Sequence, residues 1–282
     1  MIFSKSFRHR IYNTLHSKGI IVHKKETTPF LGKQIFATKG AFSRKHEKDD
    51  AWLYAISRNH NAILDIGCNM GQSSILMTLN TNNRIICVDP NPNALSRCAE
   101  NLIFNRLSGQ ATFVNAFVGE EDNKEIQFFS SLYDAAGSMF ASFAKTSNSI
   151  GKSHNVIQKT VDLICKECDF VPNFIKIDVE GAEGFVLKGI KGEILQHKPL
   201  LFVEMHSGPE LSITENTQRV VDWCTQNHYS PYYMKEHAPL KSVDHIKNRG
   251  RYHLLLIPEG GSYPEYLKSI PENAQIQVFD KK

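Results

Sequence analysis

The stretch Ala62-Ile-Leu-Asp-Ile-Gly-Cys-Asn-Met-Gly-Gln-Ser-Ser-Ile-Leu76 constrains the fold of this 282-residue chain more than any other. Ile63, Leu64 and Ile66 around Asp65 read as a short buried strand. Gly67 to Gly71 reads as a tight loop, and Ser73 onward as a helix that opens with hydroxyl side chains. Glycine suits the loop because the backbone must turn sharply and admit a ligand close to the main chain. The helix start adds free N–H groups and the positive end of a dipole. Such a strand–loop–helix unit stands at the switch point of a doubly wound α/β sheet, where nucleotides bind.

The loop follows D-x-G-x-x-x-G, with an acid on the strand. It lacks the third glycine of a dinucleotide fingerprint, and the chain has no G-x-x-x-x-G-K-[ST] phosphate loop. The pattern resembles the first motif of class I S-adenosylmethionine-dependent methyltransferases. A second apolar strand, Arg84-Ile-Ile-Cys-Val-Asp-Pro-Asn-Pro92, ends in Asp89, eighteen positions after Gly71. That leaves room for one helix and a return, and a carboxylate there can accept hydrogen bonds from both hydroxyls of a ribose. Pro90 and Asn91 form the turn that follows, and Asn93 to Asn105 reads as a helix. Ala111 to Val118 reads as a third strand, with Asn115 and Ala116 near its end, beside an adenine edge. Glu125 to Phe129 alternates like an added strand.

Two later stretches carry acids at strand ends. Phe174 to Ile177 reads as a buried strand closed by Asp178, followed by the turn Glu180-Gly-Ala-Glu183 and a helix from Phe185 to Ile190. Crowded carboxylates raise one another's proton affinity, which suits proton abstraction from a hydroxyl. Glu183 reads equally well as a helix-start acid. Pro199-Leu-Leu-Phe-Val-Glu-Met-His206 repeats the format, with Glu204 and His206 two apart and so on one side of the strand. Asp178, Glu180, Glu204 and His206 are therefore the candidate catalytic residues. Asp178, Glu204 and His206 could instead hold a divalent cation that orients a sugar diol; the reading adopted assigns no metal.

Composition bounds the remainder. Hydrophobic content of 41% and charged content of 22% are ordinary for a globular protein, and a net charge of +4 is too weak to argue for nucleic acid. Six basic residues and no acid fall within residues 1–25, where Phe3, Phe7, Ile11 and Leu15 recur at helical spacing. That segment reads as a membrane-surface contact or, in preference, as a helix packed on the domain or pairing two subunits. His46 to Asn59 reads as a helix ahead of the first strand. The long Ser/Gly/Asn-rich stretch 130–153 reads as a lid over substrate. Thr160 to Cys168 reads as a capped helix whose C-x-x-C lacks the second half of a zinc site. The six cysteines read as reduced core residues. A capping box at Ser212-Ile-Thr-Glu215 opens a helix to Asn227, and Arg251 to Ile257 is the final strand. No apolar run has the length of a membrane span, and no signal-peptide core is present, so a cytoplasmic protein is expected. The expected layout is an N-terminal extension 1–45, one domain 46–260 and a tail 261–282.

Ile63-Leu-Asp-Ile-Gly-Cys-Asn-Met-Gly71, Val88-Asp-Pro-Asn-Pro92, Val161-Asp-Leu163, Ile175-Lys-Ile-Asp-Val-Glu-Gly-Ala-Glu183 and Phe202-Val-Glu-Met-His206 together resemble the FkbM family of methyltransferases. The resemblance spans roughly residues 60 to 206, and D-V-E-G-A-E is its most specific part. It implies a Rossmann-like, mostly parallel doubly wound sheet of seven strands with an antiparallel edge strand. It also implies S-adenosylmethionine as cofactor and O-methylation of a hydroxyl on a sugar, glycan or secondary metabolite. By motif, Asp65, Gly67, Asn69 and Gly71 would line the methionine and ribose portions, and Ser73, Pro90, Asn91, Asn115 and Ala116 are counted among the cofactor contacts. Asp89 would take the ribose hydroxyls, and Asp178 would lie near the sulfonium. Asp89 stands where many relatives have Glu; either acid can bind a diol. Two other readings remain at this level: a catalytically silent binding module that keeps the fold, and an NAD-dependent oxidoreductase, which the missing third glycine disfavours.

Overall fold

A computed structural model of the protein describes residues 24–42, 49–130, 137–138, 152–208 and 211–276. It begins with a hairpin, β1 (Lys25–Phe30) and β2 (Lys33–Thr38), followed by helix α1 (Asp50–Ser57). Strand–helix alternation then sets in: β3 (Ala62–Ile66), α2 (Gln72–Thr78), β4 (Arg84–Val88), α3 (Pro92–Phe104) and β5 (Ala111–Val114). An excursion of four strands comes next: β6 (Phe117–Val118), β7 (Lys124–Ser130), β8 (Gly137–Ser138) and β9 (Lys152–Lys159). Alternation resumes with α4 (Val161–Glu167), β10 (Phe174–Ile177), α5 (Glu183–Lys188), α6 (Gly192–Gln196), β11 (Leu200–Met205) and α7 (Ile213–Asn227). β12 (Tyr229–Tyr233), β13 (Ala238–Pro239) and β14 (Tyr252–Pro258) complete the main sheet.

That sheet has the order β13-β12-β14-β11-β10-β3-β4-β5. Pairing is parallel from β5 across to β11 and antiparallel around β14, which lies between β11 and β12. This is the doubly wound, mostly parallel sheet the resemblance implies, with its antiparallel strands toward one edge, but it has eight strands where seven were expected, the short β13 being added at that edge. The chain lays down β3, β4 and β5 in one direction and then returns to place β10 on the other side of β3. The crevice between the ends of β3 and β10 is therefore the switch point.

Strand alternation sorts the core into two layers. Leu64, Ile86, Val88, Ile175, Ile177, Val203 and Leu254 face the layer covered by α4, α5 and α7. Ile63, Ile85, Phe174, Phe202 and Leu255 face the layer that holds Trp52, Leu53 and Ile56 of α1 with α2 and α3. By the same parity Asp65, Lys176 and Glu204, near the carboxyl ends of their strands, and His253, at the start of antiparallel β14, emerge on the α1 side, and all four are buried. The hairpin is pinned to α3: Asn101 Oδ1 accepts from the Thr38 N–H at 2.7 Å and Asn105 Oδ1 from the Phe36 N–H at 3.0 Å. Trp52 Nε1 donates to the Ile270 carbonyl at 2.6 Å, and Tyr263 and Leu267 are buried with it.

Several sequence expectations change here. The third strand is not continuous over residues 111–118. β5 ends at Val114, and Phe117–Val118 leaves the main sheet to pair with β9 in a separate four-stranded sheet. Asn115 enforces the break, its side-chain amide donating to the carbonyls of Asp89 at 2.9 Å and Pro90 at 3.2 Å. β9 and β12 were not anticipated. The helix expected from His46 starts at Asp50, and residues 43–48 lie outside the described residues. The amphipathic segment 1–25, apart from Lys24 and Lys25, and the body of the proposed lid, 131–136 and 139–151, lie outside them too. All six cysteines are free, and Cys165 and Cys168 lie on and just after α4. Among the described residues no helix is long and apolar enough to cross a membrane.

Candidate active site

The glycine loop is built by β3 and β4 together. The Gly67 and Cys68 N–H groups donate to the Val88 carbonyl at 2.9 and 3.1 Å, extending the ladder one step past the strand ends. Gly67 has φ +80°, and a Cβ there would lie 1.7 Å from the Asp178 carbonyl oxygen. Gly71, at φ +87°, is the residue before α2, and a Cβ there would meet Cys98 Sγ at 2.7 Å. Both glycines are thus required by the protein's own packing, and not only by the approach of a ligand as the sequence suggested.

Asp65 also departs from expectation. It is fully buried, and its Oδ2 accepts from Ser73 Oγ at 2.9 Å and Ser74 Oγ at 2.6 Å, while Oδ1 faces Lys176 Nζ at 3.4 Å. Asp65 and Ser73 therefore anchor α2 to β3 beneath the loop and do not line the cleft. Asp89 does line it. Its Oδ2 accepts from the Asn69 N–H at 2.9 Å and its Oδ1 from the Asn91 N–H at 2.8 Å, so one carboxylate joins the glycine loop to the next turn. Asn91 itself caps α3, accepting from the Asn93 and Ala94 N–H groups. Burial pushes the Asp89 carboxyl up to about 7 against the downward pull of the Asn91 and Asn69 amides.

The cleft opens at the carboxyl ends of β3, β4 and β10. Gly67, Asn69, Asp89, Asp178 and Glu180 give it polar lining, with Pro90 and Ala116 beside them. Phe117 and Phe128 of the second sheet wall it off with apolar surface, and that sheet is tied down by His154, whose Nε2 lies 3.1 Å from the Pro90 carbonyl. Of the expected cofactor contacts, Gly67, Asn69, Asp89, Pro90, Ala116 and Asp178 line the cleft, whereas Asp65, Gly71, Ser73, Asn91 and Asn115 support it from behind. Asn69 and Glu180 both take φ of +49° on the cleft wall, a conformation that is costly for Glu.

The acids converge on His206. Its Nδ1 lies 2.8 Å from Glu183 Oε1, and its Nε2 lies 3.7 Å from Asp178 Oδ1, 3.8 Å from Glu180 Oε2 and 3.6 Å from Glu204 Oε1. Glu183 is fully buried and also accepts from Asn216 Nδ2 at 2.6 Å and the Gly181 N–H at 3.1 Å. Burial alone would lower the His206 pKa, but the hydrogen bond and charge of Glu183, with Asp178 and Glu180, raise it to about 10. The ring is then an imidazolium at neutral pH, so it donates and cannot take the proton the sequence reading offered it. Glu204 is buried between His206 and His253, with Arg251 Nε at 2.7 Å from Oε1. Burial would raise its pKa, yet His253, His206 and Arg251 hold it well below the carboxylate range. It is a counter-ion rather than a base. Asp178 moves the other way: removal from water and the Glu204 charge push it up to about 7, against Lys176 and His206.

The family model for the methyltransferase FkbM domain matches residues 65–231, more than half of the chain. The chain belongs to the FkbM methyltransferase family. That family is one of methyltransferases, and the doubly wound sheet described above is this chain's own. A cleft between a loop of positive-φ residues and a strand-end acid has the form expected for the S-adenosylmethionine that the sequence resemblance implies. Asp89 keeps carboxylate capacity for a ribose, and Asp178 places negative charge where a sulfonium would be favoured. Among solved structures, the chain is similar to the methyltransferase FkbM from Methylobacillus flagellatus KT at 18% identity and a TM-score of 0.46. That match covers 70% of this chain and 43% of the other, so this chain spans less than half the length of that relative. A putative O-methyltransferase from Klebsiella pneumoniae matches at 11% identity and a TM-score of 0.44, covering 92% of each chain. The O-methyltransferase from Bacillus cereus in complex with SAH matches at 10% and 0.42, covering 92% of this chain and 93% of that one. No curated protein matches the chain.

Sequence reasoning missed Lys176, whose ammonium bridges Asp65 and Asp178 at 3.4 and 3.1 Å and donates to the Gly67 carbonyl at 3.3 Å. A lysine inside the apolar run Phe174 to Ile177 was the available signal, since a buried ammonium demands acids around it. The Glu183–His206–Asn216 cluster had no such signal, because its members come from three separate elements.

Proposed function

We propose that this methyltransferase transfers the methyl group to a hydroxyl oxygen of a sugar, glycan or secondary metabolite, with Asp178 as the proton acceptor. The observation that carries the reading is the position of Asp178: it lines the cleft, Lys176 Nζ holds its Oδ2 at 3.1 Å, and its pKa is raised to about 7. A base tuned near the working pH is the most effective acceptor for a hydroxyl proton. When bound, S-adenosylmethionine supplies a methyl group on a cationic sulfur. Asp89 and the Gly67–Asn69 backbone would seat its ribose end, and the apolar wall of Ala116, Phe117 and Phe128 would exclude water from the adenine side. Asp178 would take the hydroxyl proton as the C–O bond forms and the methyl–sulfur bond breaks, leaving a neutral thioether, while His206, held by Glu183, positions Asp178 and Glu180 by charge. Holding acceptor and donor in line supplies much of the rate.

The test is methyl-labelled S-adenosylmethionine with a panel of hydroxylated sugars and metabolites, read by mass spectrometry of the product. An O-methyl ether is expected, and Asp178→Asn should lower kcat by about a hundredfold or more. Glu180→Gln should lower it less. Label recovered on nitrogen or carbon would overturn the choice of oxygen, and an unchanged kcat in Asp178→Asn would overturn the base.

A further inference from the structure

On the α1 side of β11, Asp49 and His253, which the proposed transfer does not use, meet the far edge of Glu204 in a second cluster. We propose that these three residues hold a divalent transition-metal ion. All are buried, at 6%, 4% and 1% exposure. His253 Nε2 lies 3.6 Å from Glu204 Oε2 and 3.8 Å from Asp49 Oδ2, and the three ligand atoms all fall within 4.8 Å of one another.

Three observations separate this cluster from an ordinary group of acids. First, neither ring nitrogen of His253 has a hydrogen-bond partner, although the ring is sealed from water. A buried imidazole left so is costly, and unpaired buried groups of this kind call for an explanation. Second, the ring is aimed. It stacks on Phe202 at 5.2 Å and meets Trp52 edge-on at 5.7 Å, which turns Nε2 toward both carboxylates. Third, Asp49 occupies the N-cap position of α1, yet its side chain makes no cap hydrogen bond to the helix. It is committed to His253 instead.

The separations favour an ion over direct bonding. At 3.6 and 3.8 Å the atoms are too far apart for hydrogen bonds. Two ligands on a tetrahedral ion with ordinary bond lengths stand about 3.4 Å apart, so each carboxylate needs to close on His253 Nε2 by only a few tenths of an ångström. Lys176 makes its ion pairs with Asp65 and Asp178, and its charge also reaches Glu204 and Asp49. Arg251 Nε meets Glu204 at Oε1, which leaves the Oε2 edge facing His253 and Asp49. One nitrogen and two carboxylates suit Zn²⁺, Mn²⁺, Fe²⁺ or Co²⁺ better than Ca²⁺. The ion would tie α1 to β11 and β14, and Glu204 would link it to the cleft through His206.

The experiment uses the full chain, stripped with a chelator and titrated with Co²⁺, read by its visible absorption band and by equilibrium dialysis. Neither methyl donor nor acceptor is present, so the result stands apart from the transfer reaction. One equivalent of Co²⁺ should bind, Zn²⁺ should displace it, and Zn²⁺ should raise the thermal midpoint of the stripped protein. His253→Gln and Asp49→Asn should each weaken binding at least about tenfold, whereas His206→Gln should retain it. Folded wild type that binds neither ion overturns the proposal. So does binding that His206→Gln abolishes and His253→Gln spares, which would put the ion in the cleft. If both ligand variants fail to fold, the wild-type midpoint decides: no rise with Zn²⁺ overturns the site.

Discussion

At the scale of single residues, Asp89 shows how one carboxylate is used twice. Its two oxygens already accept the Asn69 and Asn91 amides, and a ribose would take the remaining lone pairs. Ionisation therefore matters, and burial has moved it to about 7. The sign follows from the shift. An acid whose folded pKa is raised favours folding below its unfolded value near 4, and that contribution is lost as pH rises through about 7. Cofactor binding has the opposite dependence, because the ionised form accepts both hydroxyls. Affinity for S-adenosylmethionine should fall as pH drops from 8 to 6, and isothermal titration at several pH values measures it. Asp178 also titrates near 7 among Lys176, Glu204, His206 and Glu180, so it contributes to the same slope. Asp89→Asn should weaken binding and reduce the slope, and adding Asp178→Asn should flatten it. A slope unchanged in the double variant would remove both acids from the cofactor site.

At the scale of elements, legibility followed periodicity. β3, β4, β10 and β11 are short apolar runs ended by polar residues, and α7 carries a capping box, so all were readable. β9 was not, because Lys152 to Lys159 carries only Val156 and Ile157 as apolar residues and gains its place by pairing with β7 and β6. Lys176 marks the limit between the two cases. Its strand was plain, but its function depends on Asp65 standing directly across in register on β3. The consequence can be measured. Lys176→Met keeps the length and apolar stem of the side chain, yet strands the buried Asp65 carboxylate and frees Asp178. Removing one partner of a buried ion pair costs about 3–5 kcal/mol. Urea denaturation should show a loss of that size, and Lys176→Met with Asp65→Asn should recover part of it. Additive losses in the double variant would mean that the pair is not coupled.

At the scale of the whole molecule, the site exists only because distant segments close on it. Gly67, Asp89, Ala116, Asp178 and His206 lie on successive passes of the chain, and a doubly wound sheet delivers their strand ends to one edge. That much was legible, since each acid or glycine follows a recognisable strand. β7 was legible as an added strand, but its assembly with β6, β8 and β9 into a separate sheet was not; that sheet places Phe117 and Phe128 over the cleft and fastens to it through His154 and the Pro90 carbonyl. The cofactor would thus be gripped between two sheets, and binding should stabilise both. At a ligand concentration a hundred times Kd, a ligand that binds only the folded state adds about 2.7 kcal/mol. Hydrogen exchange should show slower exchange at residues 67–71 and in β6, β7 and β9 when S-adenosylmethionine is added, with little change in α7. Phe128 is buried in its own cluster with Phe117, Val156 and Ala182, so Phe128→Ala should loosen the second sheet by about 3 kcal/mol or more. In that variant protection should persist at the glycine loop and weaken in β7 and β9. Full protection of both sheets despite the substitution would mean that the second sheet does not hold the cofactor.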